Sequence, residues 1–285
     1  GGCLLGVRIP VMHIPVGHLT PESRNVMSTA KVLPIPSFYE AKHAREWGYR
    51  PDLAKVFAAA SEERKRFGIK PAASAKAKIH VIGIDDQKDF CHPEGTLYVG
   101  GRIGTGAMDD SARFAEFLYR EASVITDITM TMDTHFLFQI FFASFWQDEA
   151  GEPLSSHTLI VVSDGILVNK GLDGKTLHAG VLPNPAMAPM LGVSYDWLVK
   201  QTKFYCSELA KGGKYTLYLW PFHCILGDEG HALTGIIAEA TAYVSFLRGR
   251  QSLREVKGGN PLTENYSVLR PEVLLRWDGK GAIGQ

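Results

Sequence analysis

Cysteine is scarce: the 285 residues hold four, Cys3, Cys91, Cys206 and Cys224, and no C-x-x-C pair. That usage excludes a disulfide-stapled secreted module and favours a reducing compartment, the cytoplasm or another one. An excess of charge of either sign is missing too. Lys plus Arg and Asp plus Glu balance at 30 each, so no net field draws the chain to nucleic acid or an anionic membrane, and neither is an expected partner. No apolar run reaches the about 20 residues of a spanning helix; the longest run from Phe136 to Trp146 and from Gly235 to Leu247. The opening Gly1-Gly2-Cys3-Leu4-Leu5 lacks an initiator Met and the layout of a secretory signal, and is expected to be a processed or truncated end. No internal repeat is visible.

What is present suits a soluble enzyme-sized fold. A hydrophobic content of 45% supports a real core. Up to about Pro51 the chain is rich in Pro, His and Gly with little periodicity, which reads as an irregular arm of the kind that contacts a neighbouring subunit. An amphipathic helix over 51–67 and an Ala/Lys/Ser linker to Lys78 complete an N-terminal part, residues 1–77, ahead of a main domain, residues 78–285. There, Ile79 to Ile84 is an apolar, β-branched run that stops at Asp85-Asp86, as a buried parallel strand does. Asp109 and Asp110 are placed to cap a helix through Ala122, and Ser123 to Met132 reads as a strand ending at Asp133. Strand-like runs at 157–163 and 214–220, helices near 195–210 and 230–248, and a short strand near 255–258 follow. The alternation predicts an α/β fold, a three-layer α/β/α arrangement around a mainly parallel, Rossmann-type sheet, plus the irregular N-terminal extension.

Four short segments carry chemistry. The first is Asp85-Asp86-Gln87-Lys88-Asp89-Phe90-Cys91, at the carboxyl end of a strand, where open α/β sheets place reactive groups; taken alone, Asp85 and Asp89 read equally well as turn formers. The second is Met132-Asp133-Thr134-His135, a strand end with two metal-ligating residue types one residue apart. The third is Trp220-Pro221-Phe222-His223-Cys224, and the fourth Val256-Lys257-Gly258-Gly259-Asn260-Pro261, with Glu264-Asn265-Tyr266-Ser267 beyond it. A single histidine or a lysine before two glycines would by itself read as structural or solvated.

Together, in this order and over 78–273, the segments resemble the isochorismatase and nicotinamidase superfamily of cysteine hydrolases. The resemblance implies an isochorismatase-like sheet and hydrolysis of the C–N bond of a small-molecule amide. It implies Asp85 and Lys257 as catalytic partners, their charged groups within about 6 Å in one cleft. Asp133, His135 and His223 would hold one divalent metal ion, zinc first among candidates, with no organic cofactor. A homo-oligomer with the N-terminal arm at a subunit contact is expected.

Two departures stand out. Relatives carry a further histidine soon after the D-x-H pair, whereas here the stretch reads FLFQIFFASFW, so Phe141 or Phe142 should stand where that ligand would be. The superfamily's nucleophilic cysteine follows the lysine segment, but no cysteine follows Cys224, so the nucleophile is expected beyond residue 285 and the domain is expected to lack its C-terminal part. The alternatives are an inactive relative kept as a structural or regulatory subunit, or an isochorismatase-type hydrolase that needs no cysteine.

Overall fold

A computed structural model describes residues 32–213 and 215–283. The expected arm therefore falls largely outside the described residues, as does Cys3. The chain divides into two compact units, the described part of Gly1–Met132 with Ala232–Glu255, and Asp133–His231 with the described part of Val256–Gln285. Each has its own apolar core.

In the first unit, helix α1 (Leu53–Phe67) starts where the Asp52 carboxylate accepts the amides of Ala54 and Lys55, and stops at Gly68, whose φ of 65° is left-handed. Helix α2 (Gly106–Glu121) begins before Asp109, so Asp109 lies in its first turn and is not its cap. Strands β1 (His80–Ile84) and β2 (Asp127–Asp133) pair in parallel, and β9 (Leu253–Lys257) completes the sheet in the order β1-β2-β9. Gly83 lies opposite Met130, where an added Cβ would have to displace the end of the Met130 side chain. Helix α4 (Gly235–Arg248) packs with α1 and α2, and Ile128, Met130, Leu118, Ile236, Ile237 and Leu247 are buried together. Arg248 closes α4 by donating to the carbonyls of Ile125, Lys70 and Ser123.

The second unit adds a sheet of another kind. Strands β4 (Thr158–Ser163), β5 (Ile166–Lys170), β6 (Thr176–His178) and β8 (Leu217–Leu219) form a four-stranded antiparallel sheet in the order β6-β5-β4-β8. The α/β class and the parallel pairing are as expected, but the runs at 157–163 and 214–220 join this antiparallel sheet and not the parallel one. Asp164-Gly165 makes the β4–β5 turn with φ of 49° and 78°, a left-handed pair that matches the twist of a tight hairpin. Strands β3 (Trp146–Gln147) and β7 (Leu182–Pro183) pair separately. Helix α3 (Tyr195–Lys211), capped by the Ser194 hydroxyl, lays Leu198, Tyr205, Cys206 and Leu209 onto a core with Phe141, Phe145, Ile160 and Leu217. Among the described residues no helix is long and apolar enough to cross a membrane.

Candidate metal centre and catalytic residues

Asp133 ends β2, and the two residues after it are held from both sides: the Thr134 amide donates to the Lys257 carbonyl at 2.8 Å and the His135 amide to the Cys224 carbonyl at 3.0 Å. These bonds tie the D-x-H segment to the Trp220–Cys224 and Lys257–Gly258 segments. Cys224 has a φ of 47°, a left-handed conformation costly for a residue with a Cβ and typical of functional sites. The outcome is a convergence of Asp133, His135 and His223, one ligand atom from each lying within 4.8 Å of the others.

Imidazole polarity decides what this cluster can hold. His135 Nδ1 lies 3.2 Å from the Gly258 carbonyl and His223 Nδ1 lies 2.8 Å from the Pro221 carbonyl. A carbonyl only accepts, so each ring keeps its proton on Nδ1, and in the neutral form each Nε2 presents a lone pair. Those Nε2 atoms face Asp133 Oδ2 at 3.1 and 3.6 Å. Two lone pairs and a carboxylate converging on one point repel unless a metal ion, or a proton on Nε2, sits among them. Tetrahedral ligand atoms at about 2.0–2.1 Å from zinc stand about 3.4 Å apart, which the two imidazole-to-carboxylate spacings match. Carbonyls behind both rings are the usual way of fixing the metal-binding tautomer. Among the described residues three potential ligands converge, the number of protein ligands that catalytic zinc sites use, where structural ones use four.

Lys257 stands beside this cluster, its ammonium donating to Asp133 Oδ1 at 2.9 Å. Burial alone would raise the Asp133 carboxyl, but Lys257, together with the two imidazoles where they are protonated at Nε2, outweighs it and holds the group well below the usual carboxylate range. One carboxylate therefore serves the lysine with one oxygen and the imidazoles with the other. Phe141 and Phe142 do stand at the cluster: their ring centroids lie 4.7 and 5.9 Å from that of His135, and Phe142 lies 5.9 Å from His223.

Asp85 belongs to the first unit. It follows β1 with a φ of 56°; its amide donates to the Thr131 hydroxyl at 3.1 Å and that hydroxyl donates to Asp85 Oδ1 at 2.7 Å. Aspartate adopts this left-handed conformation more readily than most residues, and the Thr131 hydroxyl of the neighbouring strand fixes its carboxylate. Nearby, burial and then the charges of Asp110 and Asp85 push the Asp86 carboxyl up to about 7. The thiols tell against a nucleophile here. Cys91, Cys206 and Cys224 are buried; burial pushes Cys91 up to about 12, and Cys206 is raised by burial as well, the opposite of what an attacking thiolate needs.

One residue of the centre, Gln139, escapes a reading of the sequence by motif, as does the steric role of Gly258. Gln139 bolts the loop after His135 to the lysine segment: its amide nitrogen donates to the carbonyls of Gly258 and Asn260, and its oxygen accepts the Phe136 amide. Its one signal is to be the sole polar side chain in the apolar run from Phe136 to Phe142. Gly258, with φ of 89°, lies so close that a Cβ would come within 2.7 Å of His135 Cε1 and 3.0 Å of Asp133 Oδ1.

No protein-family profile matches the sequence. No curated protein matches it either. Among solved structures the chain is similar to the yeast nicotinamidase Pnc1p bound to the inhibitor nicotinaldehyde, at 17% identity and a TM-score of 0.39 over 67% of this chain and 62% of that one. It is also similar to an Acinetobacter baumanii nicotinamidase/pyrazinamidase, at 16% identity and a TM-score of 0.35 over 72% of this chain. The chain spans 61% of the length of the Acinetobacter structure.

Proposed function

We propose that the chain is a hydrolase of the nicotinamidase and isochorismatase-like type that cleaves the C–N bond of a small-molecule amide with the help of one divalent ion, zinc first. The observation that carries this reading is the meeting of Asp133, His135 and His223 with both imidazole Nδ1 atoms turned to carbonyls. A bound ion supplies a fixed Lewis-acidic point to which a donor atom of the substrate is tied, which orients the amide.

In this reading Asp85 takes the proton of a cysteine thiol, and the Lys257 ammonium stabilises the resulting thiolate. The thiolate attacks the amide carbonyl, the C–N bond breaks, and ammonia leaves with the proton that Asp85 returns. Water then cleaves the thioester. The environments of Cys91 and Cys206 favour neither as the attacking thiol, and this reading assigns the nucleophile to none of the buried thiols among the described residues. The balanced charge supports a small amide over nucleic acid or a membrane surface. Exposed apolar side chains on β1, Ile82 and Ile84, support a homo-oligomer.

Titrating metal-free protein with Co2+ or Zn2+ tests the carrying observation. One ion per chain is expected, with binding weakened in His135→Ala and His223→Ala by more than the about 10–100-fold that changes behind the ligands cost. No binding by the unaltered chain would end the metal reading. For the chemistry, ammonia release from primary amides should be abolished in Asp85→Asn and Lys257→Met. Ion binding without any release would favour the alternative of an inactive structural or regulatory relative.

A further inference from the structure

The segment after the lysine, Glu264-Asn265-Tyr266, has no part in the chemistry above, yet it holds an acidic side chain only 9% exposed. Glu264 is pinned from its main chain: its amide donates to the Tyr205 hydroxyl at 3.1 Å, and the preceding Thr263 hydroxyl donates to the Val273 carbonyl at 2.9 Å. Its carboxyl accepts the indole N–H of Trp220 at 3.1 Å. Trp220 is fixed at its other end, where its amide donates to the Phe141 carbonyl at 2.8 Å, and it packs on Tyr218 with ring centroids 3.9 Å apart. The indole then stands across the His223 ring at 6.2 Å and 67°. His223 is three residues further along the chain; its ring is held by the Nδ1 bond to the Pro221 carbonyl and by Asp133 at Nε2, and the rings of Trp220, Phe142 and His135 stand around it.

Resting on the metal reading of the cluster, we propose that Glu264 is a positioning residue for His223: its carboxyl locks the Trp220 indole, and the indole sets the direction in which His223 Nε2 points. The carboxyl also meets the Tyr266 hydroxyl, but plain core packing would be served by any apolar side chain of similar volume, and a buried acid costs desolvation that such a side chain does not. Burial, then the Asp133 charge, pushes the carboxyl up to about 8, partly offset by Lys257, so near neutral pH it stays protonated. Glutamine is accordingly its neutral isostere, which gives the test a conservative variant.

The experiment compares Glu264→Gln, Glu264→Leu, Trp220→Phe and the Glu264→Leu/Trp220→Phe double variant of the 285-residue chain, each first checked for cooperative unfolding. Co2+ affinity is followed by its absorption spectrum, and the His223 ring resonances of the metal-free protein by NMR. Glu264→Gln should bind Co2+ within about threefold of the unaltered chain, whereas Glu264→Leu and Trp220→Phe should each weaken binding about tenfold or more. The double variant should be no weaker than the worse single one, because both break the same contact. The His223 resonances should move in Glu264→Leu and Trp220→Phe and stay in place in Glu264→Gln. Unchanged affinity and unchanged resonances in Glu264→Leu would overturn the proposal, as would additive losses in the double variant. If the unaltered chain binds no Co2+, the metal reading fails, and the His223 resonances alone still decide whether Glu264 positions the ring. If Glu264→Leu does not fold, the contrast between Trp220→Phe and Glu264→Gln decides the question in its place.

Discussion

At the residue scale, the centre is crowded enough that one methyl group should matter more than the loss of a surface charge. Gly258→Ala would place a Cβ 2.7 Å from His135 and 3.0 Å from Asp133 while demanding a φ of 89° from a side-chain residue. Strain of that kind costs about 1–3 kcal/mol, and ion affinity should fall at least about tenfold because two ligands must shift. Isothermal titration with Zn2+ would show it, and an unchanged affinity would mean that the loop at Gly258 is free to move. Glu264 makes a second prediction, of the opposite sign from ordinary carboxylates. In the folded chain its carboxyl is pushed up to about 8 from an ordinary value of 4.5, so across that interval the unfolded chain has released a proton that the folded one keeps. Its contribution to stability is thus full below about 4.5 and lost as pH rises towards 8. Glu264→Gln should remove that loss, gaining on the unaltered chain by up to about 1.4 kcal/mol per pH unit in urea unfolding between pH 5 and 8; parallel pH profiles would refute it. The segments that bring the candidate ligands Asp133, His135 and His223 together were legible in the sequence because each is short and local. The Lys257–Asp133 pair, Gln139 and the steric demand at Gly258 were not, since they arise from approaches between segments distant in the chain.

At the scale of elements, α4 carries a buried acid whose partners come from elsewhere in the first unit. Glu239, 2% exposed, accepts the hydroxyl of Tyr119 on α2 at 2.8 Å and also that of Tyr49. Hydrogen bonds to charged groups contribute about 1.5–3 kcal/mol, so Tyr119→Phe should lower the unfolding free energy by about that amount. The exposed Arg113–Asp110 pair of α2 is a useful contrast, for Arg113→Ala should stay within about 0.5 kcal/mol. Equal urea midpoints for the two variants would show that the tyrosine contact is dispensable. The helices themselves announce their ends, as Asp52, Ser194 and Gly249 do. Strand pairing is less local. The run at 157–163 is apolar and β-branched whichever sheet it joins, so its character revealed a strand but not its neighbours. Asp164-Gly165 was the one available clue, a two-residue hairpin turn that commits β4 to an antiparallel partner.

For the molecule as a whole, the parallel sheet of the first unit is the feature with the largest consequence for behaviour in solution. Successive residues of a strand face opposite ways. On β1, Val81 and Gly83 turn towards the core, whereas Ile82 and Ile84 remain 48% and 55% exposed, and Leu253 on the edge strand β9 is 56% exposed. Parallel sheets are ordinarily covered on both faces, and an apolar face with an open edge recruits other chains. The 285-residue chain should therefore self-associate and bind an apolar dye, and Ile82→Thr with Ile84→Thr should reduce both while leaving the Co2+ site intact. Sedimentation velocity across a concentration series measures the first effect and dye fluorescence the second. Threonine keeps the β-branched shape that suits a strand, so a drop in association would come from lost apolar surface and not from a broken sheet. A chain that stays monomeric at every concentration and binds no dye would mean that this face needs no cover, and the homo-oligomer reading would lose its physical support.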